Sequence, residues 1–157
     1  MPHRVLKVPE RGMIDAYERL LAARHFTADA AQRAAAERLQ RLYYDLLSFK
    51  VGRRSALRRF FTPPEVPRGV YFWGGVGRGK SFLMDCFFDA VPYRRKRRIH
   101  FHAFMHDVHR QLNELKGGSD PLLRVAERIA SEVRLLCFDE FHVSDIADAM
   151  ILGRLLE

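Results

Sequence analysis

Long apolar runs are missing from this 157-residue chain. No stretch approaches the roughly 18 consecutive apolar residues that a membrane-spanning helix needs. The first twenty residues lack the apolar centre and small-residue cleavage site of a secretory signal. Acids appear early, at Glu10, Asp15 and Glu18, which argues against an organellar transit peptide, since those are poor in acids. Cysteine is scarce. Cys86 and Cys137 both sit in apolar runs and read as buried thiols of a reducing cytosol, while a metal site needs more ligands than they supply. Negative charge is in short supply too, with 19 acidic residues against 27 Lys and Arg and a net charge of +8. That balance permits contact with nucleic acid, an acidic protein or an anionic membrane, and chooses none of them. What is abundant is apolar material, 48% of the residues, which at this length suits one domain with a real core. The expectation is a soluble, cytoplasmic protein that is neither disordered nor fibrous.

Residues Val70 to Ser81 read Val-Tyr-Phe-Trp-Gly-Gly-Val-Gly-Arg-Gly-Lys-Ser. Val70 to Trp73 are β-branched or aromatic and favour a buried strand. Gly74, Gly79, Lys80 and Ser81 then fit G-x-x-x-x-G-K-[ST], the phosphate-binding P-loop. Glycines let backbone N–H groups approach phosphate oxygens without a Cβ clash, and the helix opening at Lys80 points its positive end at the same anion. Gly74, Gly75, Val76, Gly77, Arg78, Gly79, Lys80 and Ser81 are therefore the candidate nucleotide-binding residues, with Lys80 on the β/γ-phosphates and Ser81 on Mg²⁺. A plain Gly-rich turn explains the composition less well, because strand, loop and helix occur in the required order.

The remaining chain organises itself around this stretch. Met1 to Gly12 reads as an irregular lead-in. Ile14, Tyr17, Leu20 and Leu21 give a short helix ending near His25. Asp29 and Gln32 resemble a capping box for a longer helix whose apolar face is Ala31, Ala35, Leu39, Leu42, Tyr43, Leu46 and Leu47, ending near Phe49, with its tyrosines in the core. Lys50 to Arg59 is basic and Thr62 to Gly69 holds three prolines, so residues 1–68 form an N-terminal helical segment and linker and 69–157 a P-loop domain. Phe82, Leu83, Cys86, Phe87 and Ala90 form one helical stripe that Pro92 closes.

Arg94 to Arg98 is wholly basic and leads into a second strand at Ile99, Phe101 and Ala103, with His100 and His102 facing out. A solvated turn before a strand is preferred here to a nucleic-acid patch. Phe104, Met105, Val108, Leu112 and Leu115 make a helix stopped by Gly117 and Gly118. A packed or surface role for His102, His106 and His109 is preferred to a metal site. Ser119 or Asp120, followed by Pro121, starts another helix. Val133 to Phe138 runs apolar into Asp139-Glu140, as in a buried parallel strand whose end delivers acids to a site. This looks like a Walker B motif, with Asp139 holding Mg²⁺ through water and Glu140 polarising the attacking water. A helix over Asp145 to Leu156 follows, with Ile146, Ala149, Met150 and Leu152 as its apolar residues.

Tyr71 to Ser81 with Leu83-Met84-Asp85, Lys96 to His109, Cys137 to Phe141 and Val143 to Leu156 closely resemble the signature of the ZapE family of P-loop ATPases, bacterial cell-division proteins with mitochondrial relatives. The resemblance implies an α/β, AAA-type parallel sheet with flanking helices. It further implies Mg²⁺-dependent ATP hydrolysis with Lys80 and Glu140 as catalytic residues, association with the division-ring protein FtsZ, and a homo-oligomer in the full-length form. Gln32 falls in an Asp-x-x-Gln-like stretch that the resemblance would place at the base; the capping box explains it as well. In the family the ATPase region continues beyond the equivalent of Glu157, with a fourth strand carrying a polar sensor, a fifth strand and an arginine that completes a neighbour's site. The expectation is a sheet split at its centre, truncated after the Walker B strand and its helix, in which binding survives and hydrolysis fails.

Overall fold

The computed structural model describes residues 12–54, 65–75, 77, 79–115 and 119–156. The expected lead-in up to Arg11, the linker residues 55–64, the loop positions Val76 and Arg78 and the helix stop at Gly117 and Gly118 lie outside them. Two compact units emerge, one ending at Pro92 and one starting at Tyr93.

The first unit holds α1 (Met13–Ala23), α2 (Ala30–Arg54) and α3 (Lys80–Ala90). Met13 and Tyr17, one helical turn apart, are the buried face of α1. Gly12 has no side chain with which to cap this helix, and Gln40 of α2 substitutes: its Oε1 accepts the Ile14 N–H at 2.8 Å. At the start of α2 the expected cap is present, with Asp29 Oδ1 accepting the Gln32 N–H at 2.7 Å. Ala36, Leu39, Leu42, Tyr43 and Leu46 are its buried stripe. Two expectations need correction. Tyr44 is exposed, unlike Tyr43, and α2 runs past Phe49 through Gly52 to Arg54 instead of yielding to a linker. A helical Gly52 costs about 1 kcal/mol, against which stand Arg53 over the Phe49 ring at 5.5 Å and Lys50 Nζ donating to the Pro92 carbonyl at 2.7 Å. In α3 the expected stripe is inward, with Leu83, Cys86 and Phe87 buried. Phe82 meets Tyr17 at 5.8 Å between ring centroids and lies under the Arg24 guanidinium at 5.2 Å.

Val70 to Trp73 is not the expected buried strand. It is irregular, with Tyr71 and Trp73 exposed, Trp73 by 85%. A strand exists only where a neighbouring backbone completes its ladder, and β-branched and aromatic side chains cannot supply that neighbour by propensity alone.

The second unit holds β1 (Lys96–His100), α4 (Phe101–Glu114), α5 (Pro121–Glu132), β2 (Leu135–Asp139) and α6 (Ile146–Leu156). β1 and β2 pair in parallel, from Lys96 opposite Leu135 to His100 opposite Asp139. Just outside the ladder the Arg95 carbonyl accepts the N–H groups of Arg134 and Leu135 at 2.7 and 3.3 Å. The core is Phe101, Phe104, Met105, Val108, Val125 and Leu152, with Ile99, Leu136, Phe138 and Phe141 packed against it. Each such buried side chain contributes roughly 1.5–3 kcal/mol.

Here too the local pattern misplaced boundaries. The strand expected through Ala103 ends at His100, because Phe101 continues the 101, 104, 105, 108 face of α4. Lys96, Arg97 and Arg98 lie inside β1 and not in a turn. Asp120 caps α5 as expected, accepting the Leu123 N–H at 3.3 Å with Pro121 behind it. Asp145 caps α6 through the Ala147 N–H at 2.7 Å. Of the apolar residues expected on α6, only Leu152 is buried, while Ile146 and Met150 are 80% and 70% exposed. Ile151 and Leu155 join the core instead. A helix with two apolar faces does not reveal which one a core will take.

Candidate functional site

In the first unit the loop before α3 is shaped by glycine. Gly77 and Gly79 have φ of 80° and 75°, left-handed values that a residue with a Cβ adopts only at a cost. Gly79 is the residue from which α3 starts, and its carbonyl accepts the Leu83 N–H at 3.0 Å. The amides of the first turn are therefore the unpaired donors of a helix N-terminus, where an anion is stabilised. Lys80 bends back over the loop, its Nζ donating to the carbonyl oxygens of Gly74 and Gly75 at 2.9 and 2.6 Å. The ammonium is thus held against the first two glycines of the loop. Ser81 is exposed at that turn. A Cβ built on Gly74, Gly75 or Gly77 would meet no atom of the described residues within 4 Å. Gln32 reaches the loop from α2: its Nε2 lies 2.8 Å from where a Cβ of Gly79 would be. Gln32 therefore gives its backbone N–H to the Asp29 cap and its side chain to the loop.

Asp139 and Glu140 belong to the second unit. Asp139 ends β2, and its Oδ2 accepts from Nε and Nη2 of Arg98, each at 2.7 Å. The register sets Arg98 opposite Cys137 and His100 opposite Asp139, so the Arg98 side chain runs forward along the ladder to reach the acid. Its neighbour Cys137 has its thiol pushed up to about 11 by burial, which outweighs the opposing influence of Arg98 and Lys96. Glu140 leaves the strand with a φ of 50°, a left-handed conformation costing a non-glycine residue on the order of 1 kcal/mol. Its exposed carboxylate lies 3.9 Å from His100 Nδ1. His109 is committed elsewhere, with its Nε2 2.7 Å from Asp148 Oδ1, fastening α4 to α6. A depression of about 560 Å³ is lined by His106, His109, Arg110, Asn113 and Glu114 of α4; neither Asp139 nor Glu140 lines it.

The structure thus brings Gly74, Gly75 and Lys80 together in one unit and Asp139, Arg98, Glu140 and His100 together in the other. Sequence reasoning did not single out Arg98, which stands in a run of five basic residues that all look alike until strand pairing selects one.

The residues present suit a nucleotide and a divalent cation. Lys80 and the α3 N-terminus are donor groups for phosphate, and Asp139 already accepts a cationic group, the Arg98 guanidinium. Among the described residues no three His, Cys, Asp or Glu side chains converge into a metal-binding cluster. A Mg²⁺ ion that keeps several waters and is completed by phosphate oxygens needs none.

Comparison with known proteins finds relatives of this chain. The chain is 45% identical over 140 residues to "Cell division protein ZapE" of Escherichia coli K12, covering 82% of this chain and 37% of that protein. It is 50% identical over 107 residues to "Lactation elevated protein 1 homolog B" of Danio rerio, covering 61% of this chain and 21% of that one. The chain therefore spans well under half the length of these relatives. No solved structure matches it, and no helix among the described residues is long and apolar enough to cross a membrane. The family model for AFG1-like ATPases matches residues 12–157, from the residue before α1 through α6, and the chain belongs to that family.

Proposed function

We propose that this chain binds ATP and supplies both acidic and phosphate-binding elements of an AAA-type, Mg²⁺-dependent ATPase, with residues 69–157 as its ATPase region and 1–68 as an N-terminal helical segment and linker. The observation that carries this reading is the bridge from Lys80 Nζ to the Gly74 and Gly75 carbonyls at the start of α3. A phosphate arriving at that helix terminus meets the ammonium and the free amides together. Gly74, Gly75, Val76, Gly77, Arg78, Gly79, Lys80 and Ser81 bind the phosphates. Ser81 of the first unit and Asp139 of the second would be the residues to hold the metal, which would supply neutralisation of phosphate charge. Glu140, thrown clear of β2 by its left-handed backbone, takes a proton from the attacking water.

By analogy with the E. coli relative's printed name, we place this activity in bacterial cell division. FtsZ is the partner that the resemblance implies, with a cytoplasmic location and a homo-oligomeric full-length form. The test is a titration with fluorescent ATP alongside phosphate release. We expect Lys80→Ala to abolish binding with the helical signal intact, and equal affinity in the variant would refute the assignment. A second reading, nucleotide-dependent interaction without hydrolysis, is favoured by the irregular backbone at Val70 to Trp73, since no strand ladder then carries the segment that leads into the loop. Binding with turnover no greater than that of Lys80→Ala would select it.

A further inference from the structure

Reading Asp139 as the metal-holding acid leaves one neighbour without a role, the guanidinium already seated on it. We propose that Arg98 is a stand-in cation at Asp139 that sets how much Mg²⁺ the site demands, so that metal binds against this ion pair; the proposal rests on the metal-holding reading of Asp139. The geometry is specific. Nε and Nη2 of Arg98 both fall on Oδ2 of Asp139 at 2.7 Å, so the guanidinium sits on one oxygen of the carboxylate. The two side chains are 33% and 15% exposed, which screens the pair less than an open surface pair. Register does not hand Arg98 to Asp139, because the residue opposite Asp139 is His100. Arg98 instead extends toward the C-terminal end of β2, the end at which parallel sheets bind ligands. A carboxylate with one positive charge in contact attracts a second cation less, and each Mg²⁺ that binds must do so against that charge or loosen it. Asp139 is thus held in place while no metal is there, at the expense of metal affinity.

The experiment measures mant-ADP affinity in Mg²⁺ and in EDTA for the 157-residue chain, and takes their ratio as the metal's share. Arg98→Ala is expected to raise that ratio about fivefold, the scale of a partly screened ion pair, and to lower the Mg²⁺ concentration giving half the effect. Arg98→Lys keeps the charge without the two-bond fork and should give a smaller rise. The affinity in EDTA reads the P-loop alone and should not move. An unchanged or smaller ratio in Arg98→Ala overturns the proposal. Should that variant lose its EDTA affinity or its helical circular dichroism, Arg98→Lys decides, and an unchanged ratio there overturns it equally. Asp139→Asn separates the two ideas. If its ratio stays at the parent value, the metal-holding reading and this proposal both fall; if the ratio collapses and Arg98→Ala shows no rise, only this proposal falls.

Discussion

The side-chain nitrogen of Gln32 stands 2.8 Å from the point where a Cβ on Gly79 would lie. The first turn of α2 is thereby brought against the last glycine of the phosphate loop, which itself has a φ of 75°. Gly79→Ala accordingly meets two obstacles, a left-handed backbone and the end of a flexible side chain. The backbone dominates, because Gln32 can swing aside whereas φ cannot. We expect Gly79→Ala to lower stability by about 1 kcal/mol and Gln32→Ala in the same chain to restore little of it, as read by denaturant melts of both. Full restoration would show the contact to be the larger obstacle.

Glu140 supplies a complementary case. Its φ of 50° makes Glu140→Gly more stable than Glu140→Ala by about 1 kcal/mol, since only the glycine escapes the Cβ clash. Both remove the carboxylate, so both should lack phosphate release if Glu140 activates water. Equal melting points would mean that the turn relaxes away from the left-handed region. Glu140→Gln should still bind ATP. An affinity loss as deep as that of Lys80→Ala would indicate instead that Glu140 helps hold the metal.

The Cys137 thiol offers a pH test. Burial raises it from 9.0 to about 11, so at pH 8 its thiolate fraction is on the order of a thousandth and alkylation by iodoacetamide should be far slower than in urea. Between about pH 9 and pH 11 the unfolded chain has lost this proton while the folded chain keeps it. The native state then binds more protons, and stability falls as pH rises, by up to roughly 3 kcal/mol. Cys137→Ala should flatten that decline. A decline of unchanged steepness would assign it to other groups, such as Tyr17 and Tyr43, whose burial also pushes them up.

Trp73 is the chain's single tryptophan and is 85% exposed, so its emission should be that of an indole in water and readily quenched by acrylamide. It adjoins Gly74, whose carbonyl Lys80 holds. Phosphate that draws Lys80 off this carbonyl should alter the quenching. Quenching that stays constant at saturating ATP would mean that the segment before the loop does not respond to nucleotide.

What could be read in the sequence was the chemistry that acts over one or two turns. The α3 stripe of Leu83, Cys86 and Phe87, the Asp29 and Asp120 caps and the apolar run into Asp139 are each decided by neighbours in the chain, and each is present. What could not be read depends on partners distant in sequence. Phe101 alternates with His100 and His102 as a strand residue would, yet the core of α4 claims it. Val70 to Trp73 has strand propensity and no ladder. Arg98 is one of five adjacent cations until the register of β1 on β2 brings it within reach of Asp139. Gln32 reads equally as a cap and as a site residue; its backbone N–H joins the Asp29 cap, and its side chain lies beside Gly79.

The parallel pairing of β1 with β2 also governs the order in which the second unit assembles. Every ladder partner, from Lys96 with Leu135 to His100 with Asp139, is separated by the whole of α4 and α5, and antiparallel shortcuts through a tight turn are not open to parallel strands. Helical turns close in about a microsecond or less, whereas a pairing this far apart must first bear the entropy of closing the intervening chain. Helix formation in α4 and α5 shortens that chain before the strands meet. The contact of Arg98 with Asp139, which needs that register, forms only once the strands have met.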